Sequence, residues 1–282
     1  IIGTFARQAC ISVENHRLLN QAIENERYQE ELKIAQRVQK ALLPLKLDHP
    51  ASFDICAYSN TADEVGGDYY DLIRKSKEKV YFCIADVSGK GIGAALLMSN
   101  FQAALRTLLR SDADFRVIIH QLNYTLIENT KGERFITFFL GEYDFSTKRL
   151  RYVNAGHNPP ILCHESNLES ELLEAGTTIL GAFEELPFLE IGHRADLERF
   201  TVHLYTDGLT ESINAQEEEF GDERFKAFID GHICVDPEQF HQEFFQLDFG
   251  KGDISLLKSD MLFLFPQVLL FYLCQEYHSS PF

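Results

Sequence analysis

The sequence predicts an α+β fold with largely antiparallel strand pairing, preceded by one long helix. Two patterns carry this. Apolar, strand-like runs come in groups, with helical stretches in pairs between them, and not in the strict strand–helix alternation of a doubly wound sheet. In front of them, residues 5–43 contain no glycine and meet their first helix breaker at Pro44. A length of 282 residues leaves room for one large domain with an appendage, or for two small domains.

In the leading stretch, apolar side chains recur at Ile11, Leu18 and Leu32, and, offset, at Ala22, Ala35, Val38 and Leu42, with Asn25 on the first seam. A charged helix with such a stripe packs against a copy of itself or a neighbouring domain, and a buried Asn on the seam would fix its register. A homodimer through this helix is the expected assembly; a helix lying on its own domain's surface is the alternative. After Pro44 the candidate strands are Phe53–Ser59, Tyr69–Ile73, Val80–Val87, Phe135–Tyr143, Leu150–Asn154, Pro160–Cys163 and Phe200–Tyr205. Helical spacing marks Ala94–Leu109 and Arg116–Glu128, and more weakly Glu223–Asp230 and Pro237–Phe245. Met261–Cys274 is a mostly apolar run of fourteen residues broken by Pro266 and Gln267. A bilayer span needs about 20 apolar residues, so no membrane span is expected there. The organisation that follows is a helical signalling linker over 1–45, a main domain over 46–258 and an atypical apolar tail over 259–282.

Hydrophobic residues make up 45% and charged residues 24%, the balance of a chain that buries a core. The net charge is −17, and residues 1–50 are nearly neutral with seven basic and six acidic side chains. The acidic excess therefore falls on the main domain, whose surface repels a phosphate backbone; nucleic acid is excluded as a partner. The six cysteines are scattered without a C-x-x-C pair, which suits a reducing, cytoplasmic setting and indicates neither a disulfide framework nor a zinc site. No secretory leader is read at the start, and the chain opens on Ile1 inside a helical pattern, as a piece of a longer protein would.

Three segments share one local grammar, a strand-like run and then an Asp, with Gly close by. They are Glu64-Val-Gly-Gly-Asp68-Tyr-Tyr-Asp71, Val80–Asp86 followed by Val87-Ser-Gly-Lys-Gly91, and Val202–Asp207 followed by Gly-Leu-Thr-Glu211. A carboxylate at the end of an apolar strand stands at the sheet's edge, within reach of water and ions, and the glycines let backbone approach closely. If the three ends converge, the carboxylates repel one another unless cations intervene, and hard divalent ions with oxygen ligands answer that need. An isolated Asp-Gly is an ordinary turn. The Ser88–Gly93 loop matches neither the Walker spacing nor the dinucleotide fingerprint, and no two histidines form an H-x-x-x-H pair.

Taken together and in order, EVGGDYYD, ADVSGKGIGAALLM, NAGHNPP, YTDGLTES and FGDERF resemble the SpoIIE-like branch of the PPM-type (protein phosphatase 2C-like) serine/threonine phosphatases, over about Leu47 to Leu257. IAQRVQKALLP resembles the helix that precedes this domain in sensor-linked members, and FARQACISVENHRLL the closing helix of a GAF-type sensor domain. The resemblance implies two packed antiparallel β-sheets flanked by helices, an α-β-β-α sandwich. It also implies that Asp68, Asp86 and Asp207, with the backbone carbonyl of Val87, bind two Mg²⁺ or Mn²⁺ ions whose shared water attacks phosphorus in line. The substrate implied is a phosphorylated protein, such as an anti-sigma-factor antagonist in bacterial partner switching, with control arriving through the N-terminal helix.

One departure stands out. The family closes its domain on a D-D-[IM]-[ST]-like strand whose first Asp binds metal, and here Lys251-Gly252-Asp253-Ile254-Ser255 has Gly252 at that place. Asp253 takes over as ligand, or the first metal site is weakened, or the C-terminus is altered. A catalytically weak signalling module acting by protein contact is thus the alternative function. His157 is read chiefly as a turn-capping residue with a supporting role as the alternative. Lys90 is read as a phosphoryl-steering or merely solvated lysine, Glu64, Asp71 and Glu211 as orienters of the ligands, and Glu217–Glu219 as a solvated turn.

Overall fold

A computed structural model describes residues 2–44, 54–61, 65–111, 113–212, 217–233, 235, 237–244 and 267–274. In chain order, α1 (Ile2–Leu42) leads into β1 (Asp54–Thr61), β2 (Tyr69–Arg74) and β3 (Lys79–Val87). Helices α2 (Gly91–Arg110) and α3 (Phe115–Thr130) follow, then β4 (Ile136–Asp144), β5 (Arg149–Ala155), β6 (Ile161–His164), β7 (Glu169–Leu172), β8 (Gly176–Thr177), β9 (Gly192–Arg194) and β10 (Phe200–Tyr205). The one-turn α4 (Asp207–Thr210), then α5 (Asp222–Asp230), α6 (Pro237–Phe244) and β11 (Gln267–Cys274) complete the described elements. Local chemistry sets several boundaries. Asp114 caps α3 by accepting from the Arg116 N–H at 2.9 Å. The same helix ends at Lys131 in the left-handed region, φ 55°, followed by Gly132.

The strands form two sheets. One has the order β1-β11-β10-β6-β7; the other runs β2-β3-β4-β5-β8, with β9 pairing beside β5. Among the described residues every strand pairing is antiparallel except the two-residue contact of β5 with β8. The α+β class and the two-sheet sandwich expected from the sequence are what the structure has.

Side-chain alternation divides the core into three layers. Along β3, Val80, Phe82 and Ile84 meet Phe200, Val202 and Leu204 of β10, and this buried layer between the sheets also takes in Leu72, Phe139 and Tyr152. The other face of β3, with Tyr81, Cys83, Ala85 and Val87, packs under α2 and α3 through Met98, Phe101, Leu105, Ile118 and Leu122. On the far side of the first sheet, Ile161, Cys163 and Tyr205 meet Phe225 and Ile229 of α5 and Phe240 and Phe244 of α6. Because β3 is buried on both faces it reads as one apolar run. Helix α2 is long and apolar enough to cross a membrane by length and composition, but eight of its residues are buried inside this domain.

Strands β7, β8 and β9 and the helix α4 are too short to leave a periodic signal. β11 is the larger surprise. It lies within the run read as an atypical tail, yet its backbone pairs with β1 on one side, Asp54 opposite Cys274, and with β10 on the other, Thr201 opposite Cys274. It is thus interior to its sheet. The seam read along α1 also divides: Leu32 is buried against Val65 and Ala95, while Ile11 and Leu18 are exposed.

Candidate metal centre at the mouth of the sandwich

Strand parity decides where the carboxylates point. Asp86 follows Val80, Phe82 and Ile84 on the face between the sheets, and it falls at the end of β3. In the β2–β3 register Tyr69 faces Ala85, so one step further sets Asp68 opposite Asp86, on the same face as Leu72. The two carboxyl groups are in hydrogen-bond range, and the charge of Asp207 acts on both. Asp207 enters from the other sheet, as the first residue of α4 directly after β10. The three Asp segments, distant in sequence, meet at one mouth of the sandwich.

The site is electrostatically unsatisfied. Asp68 is 6% exposed, and among the described residues no N–H or O–H donor reaches either of its carboxyl oxygens. Its near neighbour is the Asp86 carboxyl, which is itself an acceptor unless protonated. Burial first, then the charges of Asp86 and Asp207, push Asp68 well above the usual carboxylate range. Burial and Asp207 likewise raise Asp86 to about 6, against hydrogen bonds from Asp68 and the Val87 N–H. Glu211, at the end of α4, is raised mainly by Asp207. Carboxylates gathered around a donor-free Asp68, with no cationic side chain among the causes acting on Asp68 or Asp86, suit a hard divalent ion. Among the described residues no group of three His, Cys, Asp or Glu side chains is drawn tightly enough to hold a metal by itself. Gly252 and Asp253, the remaining ligand position, and Glu64 lie outside the described residues.

Two glycines shape the backbone here. A Cβ on Gly67 would stand 2.7 Å from the Val87 carbonyl oxygen, so only glycine allows the turn before Asp68 to lie against the carbonyl expected to bind metal. Gly89 has φ +92°, and a Cβ there would meet Arg134. The Arg134 guanidinium occupies that space and donates to the Ser88 carbonyl at 2.8 Å, bracing the loop after Asp86.

His157 ties the two sheets together beside the site. Its Nε2 donates to the Tyr205 carbonyl at 3.0 Å, two residues before Asp207. Its Nδ1 accepts from the Thr137 hydroxyl at 2.8 Å, and Thr137 pairs with Asp86 across β3 and β4. The Tyr205 carbonyl can only accept and so sets a proton on Nε2, and burial, which holds the pKa down to about 4, keeps the ring neutral. Asn154 fastens the His157 backbone, accepting from its N–H at 2.8 Å and donating to its carbonyl at 3.0 Å. Of the two readings of His157, turn cap and support of the site, these side-chain bonds fit the second.

Asp71 was misassigned. Alternation turns it to the opposite face of its sheet, fully buried beneath α2. There Arg106 grips it through Nε at 2.6 Å and Nη2 at 3.0 Å, and Tyr69 donates to it at 2.6 Å. It anchors a helix and does not orient Asp68. Lys90 is an exposed residue at the start of α2, and Glu217, Glu218 and Glu219 are exposed. Gln39 went unnoticed, although it continues the seven-residue spacing of Ile11, Leu18, Asn25 and Leu32. Its carboxamide bonds the backbone of Gly66.

Two sheets packed face to face, helices on both outer sides and acidic strand ends at one mouth define the fold class of the PP2C-type phosphatases. The family described as Stage II sporulation protein E (SpoIIE) matches residues 76–261, and the chain belongs to that family. It is 33% identical over 181 residues to phosphoserine phosphatase RsbU of Bacillus subtilis, covering 64% of this chain and 53% of RsbU. The chain thus spans about half the length of that relative. Among solved structures, the SiaA-PP2C domain of Pseudomonas aeruginosa superposes with a TM-score of 0.72 at 18% identity, over 90% of this chain and 98% of that one. RsbX in complex with magnesium gives a TM-score of 0.58 at 15% identity, over 82% of this chain and 98% of that one.

Proposed function

We propose that this chain is a metal-dependent serine/threonine protein phosphatase that hydrolyses phosphoserine or phosphothreonine on a regulatory protein of the anti-sigma-factor-antagonist type. The observation that carries this is the meeting of the buried, donor-free Asp68 with Asp86 under the charge of Asp207. Asp68, Asp86, Asp207 and the Val87 carbonyl would hold two Mg²⁺ or Mn²⁺ ions, with Asp253 as the remaining candidate. Divalent ions supply the Lewis acidity that makes water a nucleophile at neutral pH and offsets charge growing on phosphoryl oxygens. The chain's own work is positional. Gly67 keeps the Val87 carbonyl approachable, Arg134 braces the following loop, and His157 holds the Asp86 row of one sheet to the strand that delivers Asp207.

Among the cysteines whose side chains are described, Cys83 and Cys163 are buried in the core and Cys10 is exposed on α1. The phosphoserine phosphatase name of RsbU, 33% identical, favours the same substrate class. Control would come through α1, whose exposed apolar residues, among them Ile11, Val13, Leu18 and Leu19, suit pairing with a second copy downstream of a sensor. A cytoplasmic location fits both substrate and cysteine usage.

Gly252 keeps a second reading in view, a phosphatase fold that acts by protein contact with little catalysis. Hydrolysis of p-nitrophenyl phosphate with and without Mn²⁺, on wild type and Gly252→Asp, separates the two. Mn²⁺-dependent turnover by the wild type supports the enzyme. An inert wild type made active by the Asp supports the contact module.

A further inference from the structure

Helix α1 is exposed along most of its length, yet Gln39 near its end is only 8% exposed. Its Nε2 donates to the Gly66 carbonyl at 2.6 Å, and the Gly66 N–H donates to its Oε1 at 3.1 Å. One carboxamide therefore satisfies both backbone groups of a single residue, as a neighbouring strand would. Around this clamp, Leu32 and Ala35 pack on Val65 and on Ala95 of α2. Gln102 of α2 donates to the Leu42 carbonyl at 2.6 Å. The end of α1 is thus fastened both to α2 and to the turn that leads into Asp68.

That turn has little to hold it in place by itself. Gly66 and Gly67 bring no side chains and have the widest backbone freedom of any residues. The Val87 carbonyl limits Gly67 on one side, and the clamp limits Gly66 on the other. We propose that Gln39 is the positioning residue through which α1 holds the Gly66-Gly67 turn so that Asp68 stands beside Asp86. The inference rests on the metal reading above and deepens it at the same site. Only a group that donates and accepts at this spacing fits. Methionine would leave both Gly66 groups buried without partners, and glutamate would set an acceptor against the Gly66 carbonyl.

The test uses the whole chain carrying Gln39→Met, with Gln39→Glu as a second variant and Gln102→Met as a control that breaks the other anchor of α1. Circular dichroism establishes folding. Two readouts follow: isothermal titration with Mn²⁺ alone, and hydrogen–deuterium exchange over residues 65–69 without metal. The expected result for the Gln39 variants is Mn²⁺ affinity weakened by about tenfold or more, with faster exchange at Gly66–Asp68. Gln102→Met should stay within about twofold of wild type in Mn²⁺ affinity, since it does not touch the turn. Wild-type affinity and unchanged exchange in folded Gln39 variants would overturn the proposal and leave the metal reading standing. So would equal losses in Gln39→Met and Gln102→Met, which would mark a general docking effect. A wild type that takes up no Mn²⁺, while Gln39→Met still speeds exchange, would sink the metal reading and leave the clamp intact.

Discussion

Asp68 and Asp86 face each other across the β2–β3 pair, one step beyond the Tyr69–Ala85 partners, and among the described residues no other donor reaches Asp68. Without a cation this contact is unfavourable. Replacing Asp68 by Asn supplies an amide donor to Asp86 without the cost of burying a carboxylate there or of holding it protonated. In chelator, D68N should be more stable than wild type by on the order of 1 kcal/mol. With Mn²⁺ at a hundred times its Kd the order should reverse, because a ligand bound only to the native wild type adds about 2.7 kcal/mol. Urea unfolding with EDTA and with Mn²⁺ checks the crossing; the same sign in both conditions would speak against a cation at this pair.

Gly67→Ala tests close approach. Its Cβ would stand 2.7 Å from the Val87 carbonyl, so the turn or the carbonyl must shift. A loss of about 1–3 kcal/mol in stability is expected, with a larger proportional loss of Mn²⁺-dependent phosphate release. An alanine variant with wild-type turnover would show that the Val87 carbonyl is not part of the site.

His157 sets a pH dependence. Burial lowers its pKa from 6.5 to about 4, so the unfolded chain takes up a proton over that interval before the native protein does. The stability gained from keeping the ring neutral is complete above pH 6.5 and is lost as the pH falls towards 4, by on the order of 3 kcal/mol. Subtracting the unfolding free energy of His157→Gln from that of wild type isolates this ring from the carboxylates. The difference should shrink from pH 7 to pH 5; a constant difference would mean that the imidazole titrates normally.

Leu18 and Leu32 share one seam in the sequence but have different surroundings. Leu32→Glu puts a charge against Val65 and Ala95 and should cost about 2–4 kcal/mol. Leu18, 50% exposed, should tolerate Glu within about 0.5 kcal/mol while abolishing any helix-mediated dimer. Light scattering beside urea unfolding distinguishes the two effects. A monomeric wild type, or a dimer untouched by Leu18→Glu, would remove the pairing role of α1.

The architecture was legible where burial imposes a period. β3 and β10 are buried on both faces and read as apolar runs, and α2 and α3 as amphipathic helices. Elements of two to four residues, such as β8, β9 and α4, carry no period and were missed. β11 escaped for another reason: a strand interior to its sheet reads like any apolar run, and sequence alone cannot say which edges it joins. At the site, glycine beside Asp marked the three carboxylates, but Asp68 and Asp71, three residues apart, fall on opposite faces of an extended segment, and the sequence alone does not say which face lies between the sheets. Gln39 was hidden because its meaning depends on a backbone partner 27 residues away.

The most direct test of the metal centre is a crystal soaked in Mn²⁺ and examined by anomalous scattering. Peaks within ligand distance of the Asp68 and Asp86 carboxylates, the Val87 carbonyl and Asp207 are expected, and the same map would show whether Asp253 touches an ion. An enzyme that hydrolyses phosphoserine peptides yet shows no anomalous density at this mouth under saturating Mn²⁺ would contradict it.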